Sequence, residues 1–459
     1  MHQNSGPIAV SPSCPVVYPD QTRHQHDFHM RVNLKTLGCR LNEAELETWA
    51  RQFQNEGHSI VSDAEDADLL VFNSCAVTQD AVRKSRNLLR KAARENPEAK
   101  LVVSGCYATL NREEAETLGV DLVVANADKQ NLVNITRREL ALDTMPAAST
   151  IPGESALFRM GRHRAFIKVQ DGCRYRCTYC IVTVARGEEQ SRSGAEIIEE
   201  INALHRQGIQ EAVLTGVHLG GYGSDNGSHL CSLIHQILEQ TDIPRLRLGS
   251  LEPWDIPDSF VELFESTRLM PHLHLPLQSG SDATLKRMAR RCRTAEFAEL
   301  TDRLRRHIPD INITTDLIVG FPGETETEWA DTLAYVEGMD FGNIHIFSFS
   351  PRAGTAAASL PNPIPGDIKK ARSRSLHALA ERQKLALWTR HLGRVHPVLW
   401  EGARPLGDGR YTLHGYTPQY LKVGMVTTDP AALSYRVTPA QLVEIAPDGD
   451  FIMAESTAT

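Results

Sequence analysis

Apolar strand-like segments alternate with helical segments in two separate runs along this 459-residue chain. The first run extends from "MRVNLKTL" to "VDLVVAN", and the second extends from "AFIKVQ" to "NIHIFSFS". Strands separated by helices predict parallel sheets that carry helices on their faces, so the fold class is α/β. Six strand segments in the second run predict a partial (β/α)6 barrel, whose chemistry lies at the carboxyl ends of the strands.

The segments around these two runs set the predicted domain boundaries. Residues 1–28 are rich in Pro, Ser, Gln and His and predict a disordered tail. An N-terminal open parallel-sheet domain covers 29–145, and a Pro-bearing linker at 146–158 leads into the central barrel at 159–388. Short strands separated by turn residues then predict a small β-barrel at 389–455.

Composition narrows the classes of protein that fit the chain. The net charge of −8 argues against a protein that coats nucleic acid non-specifically, although a local basic surface remains compatible with it. No apolar run reaches the length of a membrane span, and no signal-peptide pattern is present, so we expect a cytoplasmic protein. Nine cysteines in that reducing compartment indicate metal binding or catalysis more than disulfides.

Three of the cysteines directly follow the first three long strand segments of the first run. They are Cys39, Cys75 and Cys106. Because the carboxyl ends of parallel strands meet at one edge of the sheet, these thiols should converge. A single cysteine there would be an ordinary small buried residue. Three at corresponding strand ends, two of them preceded by glycine, predict a shared metal or cluster site.

A second, compact trio lies in "DGCRYRCTYC", just after the first strand of the second run. Its members Cys173, Cys177 and Cys180 have the spacing C-x-x-x-C-x-x-C. A structural zinc takes four ligands, and no fourth is evident nearby, whereas thiolates are the usual ligands of iron–sulfur clusters. The trio therefore predicts a cluster with one iron left free. The alternative is a set of buried or redox-active cysteines.

The C-x-x-x-C-x-x-C loop resembles that of radical S-adenosylmethionine (SAM) enzymes. From about Met30 to Ala454 the chain resembles the methylthiotransferases of that superfamily, through "TLGCRLNEAELE", "VFNSCAVT", "SGCYA" and "GCRYRCTYCIVTVARG". The C-terminal segment with "LHGYTPQYLKV" is similar to the TRAM domain, a small RNA-binding β-barrel.

Three branches of that family have different substrates. Two modify tRNA adenosines that carry different N6 groups, and one modifies an aspartate of a ribosomal protein. The stretch "TLGCRLNEAELE" most resembles the branch acting on N6-threonylcarbamoyladenosine next to the anticodon, since the isopentenyladenosine branch typically reads G-C-Q-M-N there. The other two branches remain alternatives, as does a non-enzymatic zinc- or redox-binding protein.

The resemblance implies a mechanism with two cofactors. Cys173, Cys177 and Cys180 would hold a [4Fe-4S] cluster whose open iron binds SAM and whose electron generates a 5′-deoxyadenosyl radical. That radical takes hydrogen from C2 of the adenine, a C–H bond that no side-chain base breaks at neutral pH. Cys39, Cys75 and Cys106 would hold a second [4Fe-4S] cluster that carries the sulfur. An electron donor such as a flavodoxin or ferredoxin, and a monomeric state, complete the expectation.

Further candidate residues come from strand ends and basic stretches. Six residues at the ends of barrel strands are predicted SAM contacts: Thr215, Gly216, Ser250, Glu252, Gln278 and Ser279. Five are predicted RNA contacts, through phosphate pairing or aromatic stacking: Arg287, Arg290, Arg291, Tyr420 and Lys422. For the arginines, the alternative is an ordinary solvated helix face.

Overall fold

A computed structural model describes residues 30–140 and 164–457. The predicted tail at 1–28 and the predicted linker at 146–158 lie outside these ranges. In the described part of the chain, no helix is both long and apolar enough to cross a lipid bilayer.

The N-terminal domain is an open five-stranded parallel sheet with the order β2-β1-β3-β4-β5. Its strands are β1 Arg31–Thr36, β2 Ser59–Ile60, β3 Leu69–Ser74, β4 Lys100–Gly105 and β5 Leu122–Val123. Its helices are α1 Arg40–Asn55, α2 Gln79–Glu95, α3 Cys106–Leu110, α4 Arg112–Glu116 and α5 Leu132–Glu139. Strand β3 is buried along its whole length, which explains its continuous apolar pattern.

The central domain is an arc of six parallel strands, as predicted. Strands β6 Arg164–Lys168, β9 Glu211–Thr215 and β10 Arg245–Leu248 form one half, and β11 His272–His274, β12 Asn312–Val319 and β13 Asn343–Ser348 form the other. Parallel bridges between Leu246 and Leu269 and between Ser250 and His274 join the halves. A short antiparallel pair, β7 Gln170–Asp171 and β8 Gln190–Ser191, flanks the loop of the compact trio.

Seven helices complete the central part of the described chain. They are α6 Val182–Arg186, α7 Gly194–Arg206, α8 Leu230–Gln240, α9 Asp282–Arg287, α10 Thr294–His307, α11 Glu326–Gly338 and α12 Gly366–His391. The apolar faces of α7, α8, α10, α11 and α12 pack on the strands in one continuous core that includes Ile201, Ile234, Leu304 and Leu376. Helix α11 begins with a capping box between Thr325 and Glu328.

The C-terminal domain is a small β-barrel, which confirms that prediction. Its strands are β14 Val395–Trp400, β15 Arg404–Pro405, β16 Tyr411–Tyr416, β17 Lys422–Thr427, β18 Val437–Ile445 and β19 Ile452–Ser456. Strand β14 pairs with both β18 and β16, which closes the sheet. Trp400, Leu413, Val423 and Leu442 fill the interior.

A buried charge cluster attaches this barrel to the amino-terminal ends of the central strands. Glu211 is fully buried and pairs with Arg245 at 2.9 Å and with Arg247 at 3.0 Å. Both guanidinium groups also donate hydrogen bonds to backbone carbonyls that follow β16, such as that of Thr417. One carboxylate therefore bridges two arginines at the junction between the domains.

Replacing Glu211 by alanine should destabilise the protein by about 3–5 kcal/mol, because two buried cations lose their partner. Burial alone would raise the pKa of Glu211, but Arg247 and Arg245 lower it to about 2. The folded-state pKa is thus depressed, so the stabilisation is present above the ordinary pKa near 4.5 and is lost as the pH falls toward 2. Urea unfolding of wild type and variant between pH 7 and pH 3 measures both effects. A stability difference that does not shrink toward acid pH would contradict the assignment.

Candidate active site

The dispersed cysteines converge at the carboxyl edge of the N-terminal sheet. Cys39 lies between β1 and α1, Cys75 follows β3, and Cys106 follows β4 directly and begins α3. All three line one cavity of about 700 Å³ between the three domains. Cys75 and Cys106 are buried, whereas Cys39 is exposed and faces the cavity.

The positions before Cys39 and Cys106 must be glycine, because neighbouring atoms approach the backbone too closely for a Cβ. Gly38 has φ +122°, and a Cβ there would lie 2.8 Å from Sγ of Cys75. Gly105 has φ +98°, and a Cβ there would lie 2.2 Å from the carbonyl oxygen of Ser74. Neither position has room for a side chain, and both backbones adopt the left-handed region that favours glycine. This packing brings the three cysteine loops together.

Burial dominates the electrostatics of the dispersed thiols. It raises the pKa of Cys75 to about 11, and the neighbouring Cys39 and Cys106 raise it further. Although the Cys39 side chain is open to the cavity, the surrounding protein withdraws its sulfur from bulk water and raises its pKa, and the guanidinium of Arg186 opposes this shift. These groups are therefore thiols at neutral pH until a metal centre takes their protons.

Arg186 belongs to a buried ion-pair network that joins the N-terminal domain to the central domain. Its guanidinium is 2% exposed and donates to Glu45 at 3.0 Å, to Asp171 at 2.9 Å and to Asn42 at 2.8 Å. Lys168 pairs with the same two carboxylates. The network therefore links helix α1, next to Cys39, to the segment that precedes the compact trio. Nothing in the sequence singled out these residues, because their partners are remote along the chain.

The compact trio lies on the loop between β7 and α6. Cys173, Cys177 and Cys180 are all half-buried. Burial raises the pKa of Cys173 to about 11 and that of Cys180 to about 12, and the neighbouring cysteines add to both shifts. All three sulfurs are carried by this one loop.

The spacing of the sulfurs fits a cluster better than a single zinc ion. Four thiolates around one zinc at 2.3 Å lie about 3.8 Å from one another. Among the described residues, only two groups of three potential ligands have all donor atoms within 4.8 Å of one another, and neither is a cysteine trio. In each trio at least one pair of sulfurs is thus more than 4.8 Å apart, which is compatible with a metal centre of several irons.

One of those two groups contains His218, whose two ring nitrogens both have carboxylate partners. His218 bonds Glu189 through Nδ1 and Asp255 through Nε2, both at 2.5 Å, beside Cys173. Burial opposes protonation of this imidazole, but the two carboxylates raise its pKa above the ordinary value. Both ring nitrogens already have partners, so His218 supports the cluster loop rather than offering a free ligand atom.

The other group faces the cavity. Asp316 lies 3.1 Å from His274 Nε2 and 3.1 Å from His345 Nδ1, and Thr314 bonds the other nitrogen of His274 at 2.9 Å. Although burial opposes it, hydrogen bonding from both histidines holds the pKa of Asp316 well below its usual range. This trio could position a polar substrate group or hold a divalent cation. Asp316 and His345 were missed by sequence reasoning, although both occur on strands that end at the cavity.

Five of the six predicted SAM contacts divide into two sets, and the sixth, Glu252, forms an ion pair with Arg290. Thr215, Gly216 and Ser250 line the cavity. Gln278 and Ser279 do not: both are buried, and the Ser279 hydroxyl contacts the N–H of Ser281 and the hydroxyl of Thr332. The structure therefore gives Ser279 a role in packing helix α11, which corrects its prediction as a side-chain contact to SAM. Gln278 has φ +78°, and its backbone forms a parallel bridge with Leu317 of β12.

Glu252 and Arg290 form an ion pair beside the compact trio. Their closest atoms are 2.6 Å apart, and the Arg290 side chain is 3% exposed. Burial opposes the charge of Arg290, but Glu252 raises its pKa. Burial also raises the pKa of Cys177, and the Arg290 cation opposes that shift. A buried, paired guanidinium is not available to a phosphate, so the predicted RNA contact at Arg290 is wrong. Arg290 instead pairs with Glu252 next to Cys177, in the loop that carries the compact trio.

The other predicted RNA contacts also separate. Arg287 pairs with Glu328 at 2.6 Å and keeps part of its surface exposed. Arg291 is exposed and lies 4.8 Å from the ring of Tyr175 on the cluster loop. Lys422 is half-buried and lines the cavity.

Tyr420 is an interdomain residue. Its ring stacks on Tyr416 at 4.6 Å and on His272 at 4.9 Å, and its hydroxyl accepts a bond from Arg164 at 2.9 Å. Both rings cover part of the Tyr420 surface, and they join the C-terminal barrel to the central strands. The stacking of Tyr420 on RNA stays a prediction.

Comparisons with known proteins agree with this architecture. Residues 31–125 match the model of the Uncharacterized protein family UPF0004, and residues 167–336 match the Radical SAM superfamily. The solved structure of the radical S-adenosylmethionine methyltransferase TsrM from Kitasatospora setae covers 72% of this chain and 77% of its own. Its TM-score is 0.54 at 15% sequence identity, so the likeness concerns the fold.

Curated relatives are similar over nearly their whole length. The threonylcarbamoyladenosine tRNA methylthiotransferase MtaB of Thermotoga maritima is 37% identical over 397 residues, which are 85% of this chain and 90% of that protein. The MtaB protein of Bacillus subtilis is 33% identical over 85% of this chain and 89% of its own. A tRNA-2-methylthio-N(6)-dimethylallyladenosine synthase of Akkermansia muciniphila is 32% identical over 90% and 96%. This chain therefore belongs to the radical SAM methylthiotransferase family.

Proposed function

We propose that this enzyme installs a methylthio group at C2 of N6-threonylcarbamoyladenosine next to the anticodon of tRNA, using two [4Fe-4S] clusters and SAM. One observation carries the proposal: the dispersed trio lines the same cavity as Thr215, Gly216 and Ser250. Helix α6, which directly follows the loop of the compact trio, also contributes to its lining. The names of the two MtaB relatives support the threonylcarbamoyl substrate.

The chain's own residues have distinct tasks in this proposal. Cys173, Cys177 and Cys180 hold the cluster that binds SAM, and Cys39, Cys75 and Cys106 hold the second. With SAM bound, the first cluster supplies a radical that activates an aromatic C–H bond, chemistry that no side chain provides. The ion-pair network around Arg186 fixes the two domains relative to each other. The target base must lie in the cavity between them to meet both centres.

Two partners follow from this chemistry. Each cleaved SAM needs one electron, so the proposal includes a donor such as a flavodoxin or ferredoxin. The proposal also keeps a monomeric state. The exposed Arg291 and the cavity-lining Lys422 remain the proposed phosphate contacts, since phosphates account for much of the affinity of proteins for nucleic acids.

Nucleoside mass spectrometry of tRNA from a deletion strain tests the substrate. We expect threonylcarbamoyladenosine to lose its methylthio group, and a plasmid copy of the gene to restore it. Persistence of that group would refute the proposal. Its loss from isopentenyladenosine, or from a ribosomal-protein aspartate, would assign the chain to another branch of the family.

Iron analysis tests the number of clusters. Protein purified anaerobically should be brown and contain about eight irons per chain, since each [4Fe-4S] cluster contributes four. The triple variant Cys39→Ala, Cys75→Ala, Cys106→Ala should retain about four. A wild-type content near four, unchanged in the triple variant, would show that the dispersed trio holds no cluster.

A further inference from the structure

Arg40 is a cation without an anionic partner beside the dispersed trio. It follows Cys39, begins helix α1, is half-buried and lines the cavity. Its guanidinium lies 5.4 Å from the ring of Tyr420 and 6.0 Å from that of Phe166, and donates to the Tyr420 hydroxyl at 3.3 Å. Within residues 30–140 and 164–457, no carboxylate lies within ion-pair distance of it.

Neighbouring arginines are different, because each has a carboxylate. Arg164 pairs with Glu401 at 3.0 Å, Arg186 with Glu45 at 3.0 Å and Arg247 with Glu211 at 3.0 Å. Withdrawing a charge from water without pairing it is costly. The fold thus gives each of these structural arginines a carboxylate partner, and it gives Arg40 none among the described residues, so this guanidinium is available to an anion.

Three guanidinium groups surround the ring of Tyr420 in this part of the cavity: those of Arg40 at 5.4 Å, Arg164 at 5.4 Å and Arg247 at 4.8 Å. Burial favours the neutral form of Tyr420, yet Arg164 and Arg40 lower its pKa below the ordinary value. Burial lowers the pKa of His272, and Arg247 and Arg40 lower it further. Both shifts have the sign that nearby positive charge requires. The local potential is positive although the whole chain carries a net charge of −8.

Resting on the proposed function, we infer that Arg40 binds the carboxylate of the threonylcarbamoyl group and so makes the cavity select a carboxylate-bearing N6 substituent. A guanidinium presents two parallel N–H groups that match the two oxygens of a carboxylate. An isopentenyl substituent has no anion and leaves this cation unpaired, which penalises the wrong substrate. Arg40 adjoins Cys39, so one short segment serves both the sulfur-bearing centre and the N6 group of the same base.

Binding to two matched RNAs tests the inference. One anticodon stem-loop carries N6-threonylcarbamoyladenosine, and the other carries its neutral carboxamide analogue. Equilibrium binding to the anaerobically reconstituted enzyme should favour the carboxylate RNA by about tenfold or more. In Arg40→Gln this preference should fall to near one, through weaker binding of the carboxylate RNA alone. Arg40→Lys should keep part of it, because the charge remains while the bidentate geometry is lost.

Two further variants serve as controls. Arg382→Gln removes an arginine that is 64% exposed and pairs with Glu337 away from the cavity, and it should keep the full preference. Lys422→Gln removes the other cavity cation that has no ion-pair partner among the described residues. As a proposed phosphate contact it should weaken the binding of both RNAs alike and so keep the preference. Thermal unfolding identifies any variant that has lost its fold, and Arg40→Lys then provides the comparison.

The outcomes separate this inference from the proposed function. A folded Arg40→Gln that still discriminates the two RNAs overturns it, and so does loss of discrimination in Lys422→Gln but not in Arg40→Gln. Equal binding of both RNAs to the wild type also overturns it, even if the deletion strain has lost the methylthio group. The nucleosides of the deletion strain report on the proposed function independently.

Discussion

Replacing Cys177 by alanine should reduce cleavage of SAM to background and abolish methylthiolation. The compact trio offers three thiol donors on one loop, so the variant keeps only two of the ligands that a cluster with one open iron needs. Formation of 5′-deoxyadenosine under a strong reductant, measured by chromatography, reports the loss directly. The iron content should fall from about eight to about four per chain.

Cys231→Ala is the matched control for this experiment. Cys231 is half-buried like Cys177 but lies on helix α8, outside both trios. It should cleave SAM at the wild-type rate and keep its full iron content. A Cys177→Ala protein that still forms 5′-deoxyadenosine at the wild-type rate would show that the compact trio is not the SAM-binding site.

Replacing Cys39 by alanine should have a different effect: SAM cleavage continues, while methylthiolated product falls to background. Cys39 belongs to the edge of the N-terminal sheet, whereas the compact trio lies on a separate domain. Removing one dispersed ligand therefore leaves the SAM site intact and disables the centre that supplies sulfur. Because Cys39 is exposed to the cavity, the substitution removes little packing.

Parallel assays on the same Cys39→Ala preparation measure both products. We expect 5′-deoxyadenosine within about twofold of wild type, no methylthio product by mass spectrometry, and about four irons per chain. If SAM cleavage is also lost, the proposed division of labour between the trios is wrong. If methylthiolation persists, the dispersed trio does not deliver the sulfur.

Local patterns predicted the fold and the placement of the cysteines. Strand and helix alternation identified the parallel sheets, the six-stranded arc and the small barrel, because the periodicity of apolar residues depends on the local backbone. The compact trio occupies one loop, so its spacing alone brought its members together. The dispersed trio required one further rule, that parallel strands end at a common edge.

Roles of long charged and aromatic side chains could not be predicted in this way. Arg290 and Arg291 are adjacent in a basic stretch, yet the first is buried against Glu252 and the second is exposed. Tyr420 was predicted to stack on RNA, and in the structure its ring stacks on Tyr416 and on His272. Arg186 and Glu211 drew no attention, although both anchor contacts between domains.

The sequence by itself determined the family, the fold class and the two sets of thiols, since each is encoded in short motifs or in the apolar period. Only the tertiary structure decided which cations are neutralised and which are left free. An ion pair such as Arg164 with Glu401 joins residues 237 positions apart, and its existence depends on how whole domains pack. Arg40 has no such partner among the described residues, and the stretch "TLGCRLNEAELE" does not reveal this difference. It makes Arg40 the residue that we propose to bind the carboxylate of the substrate.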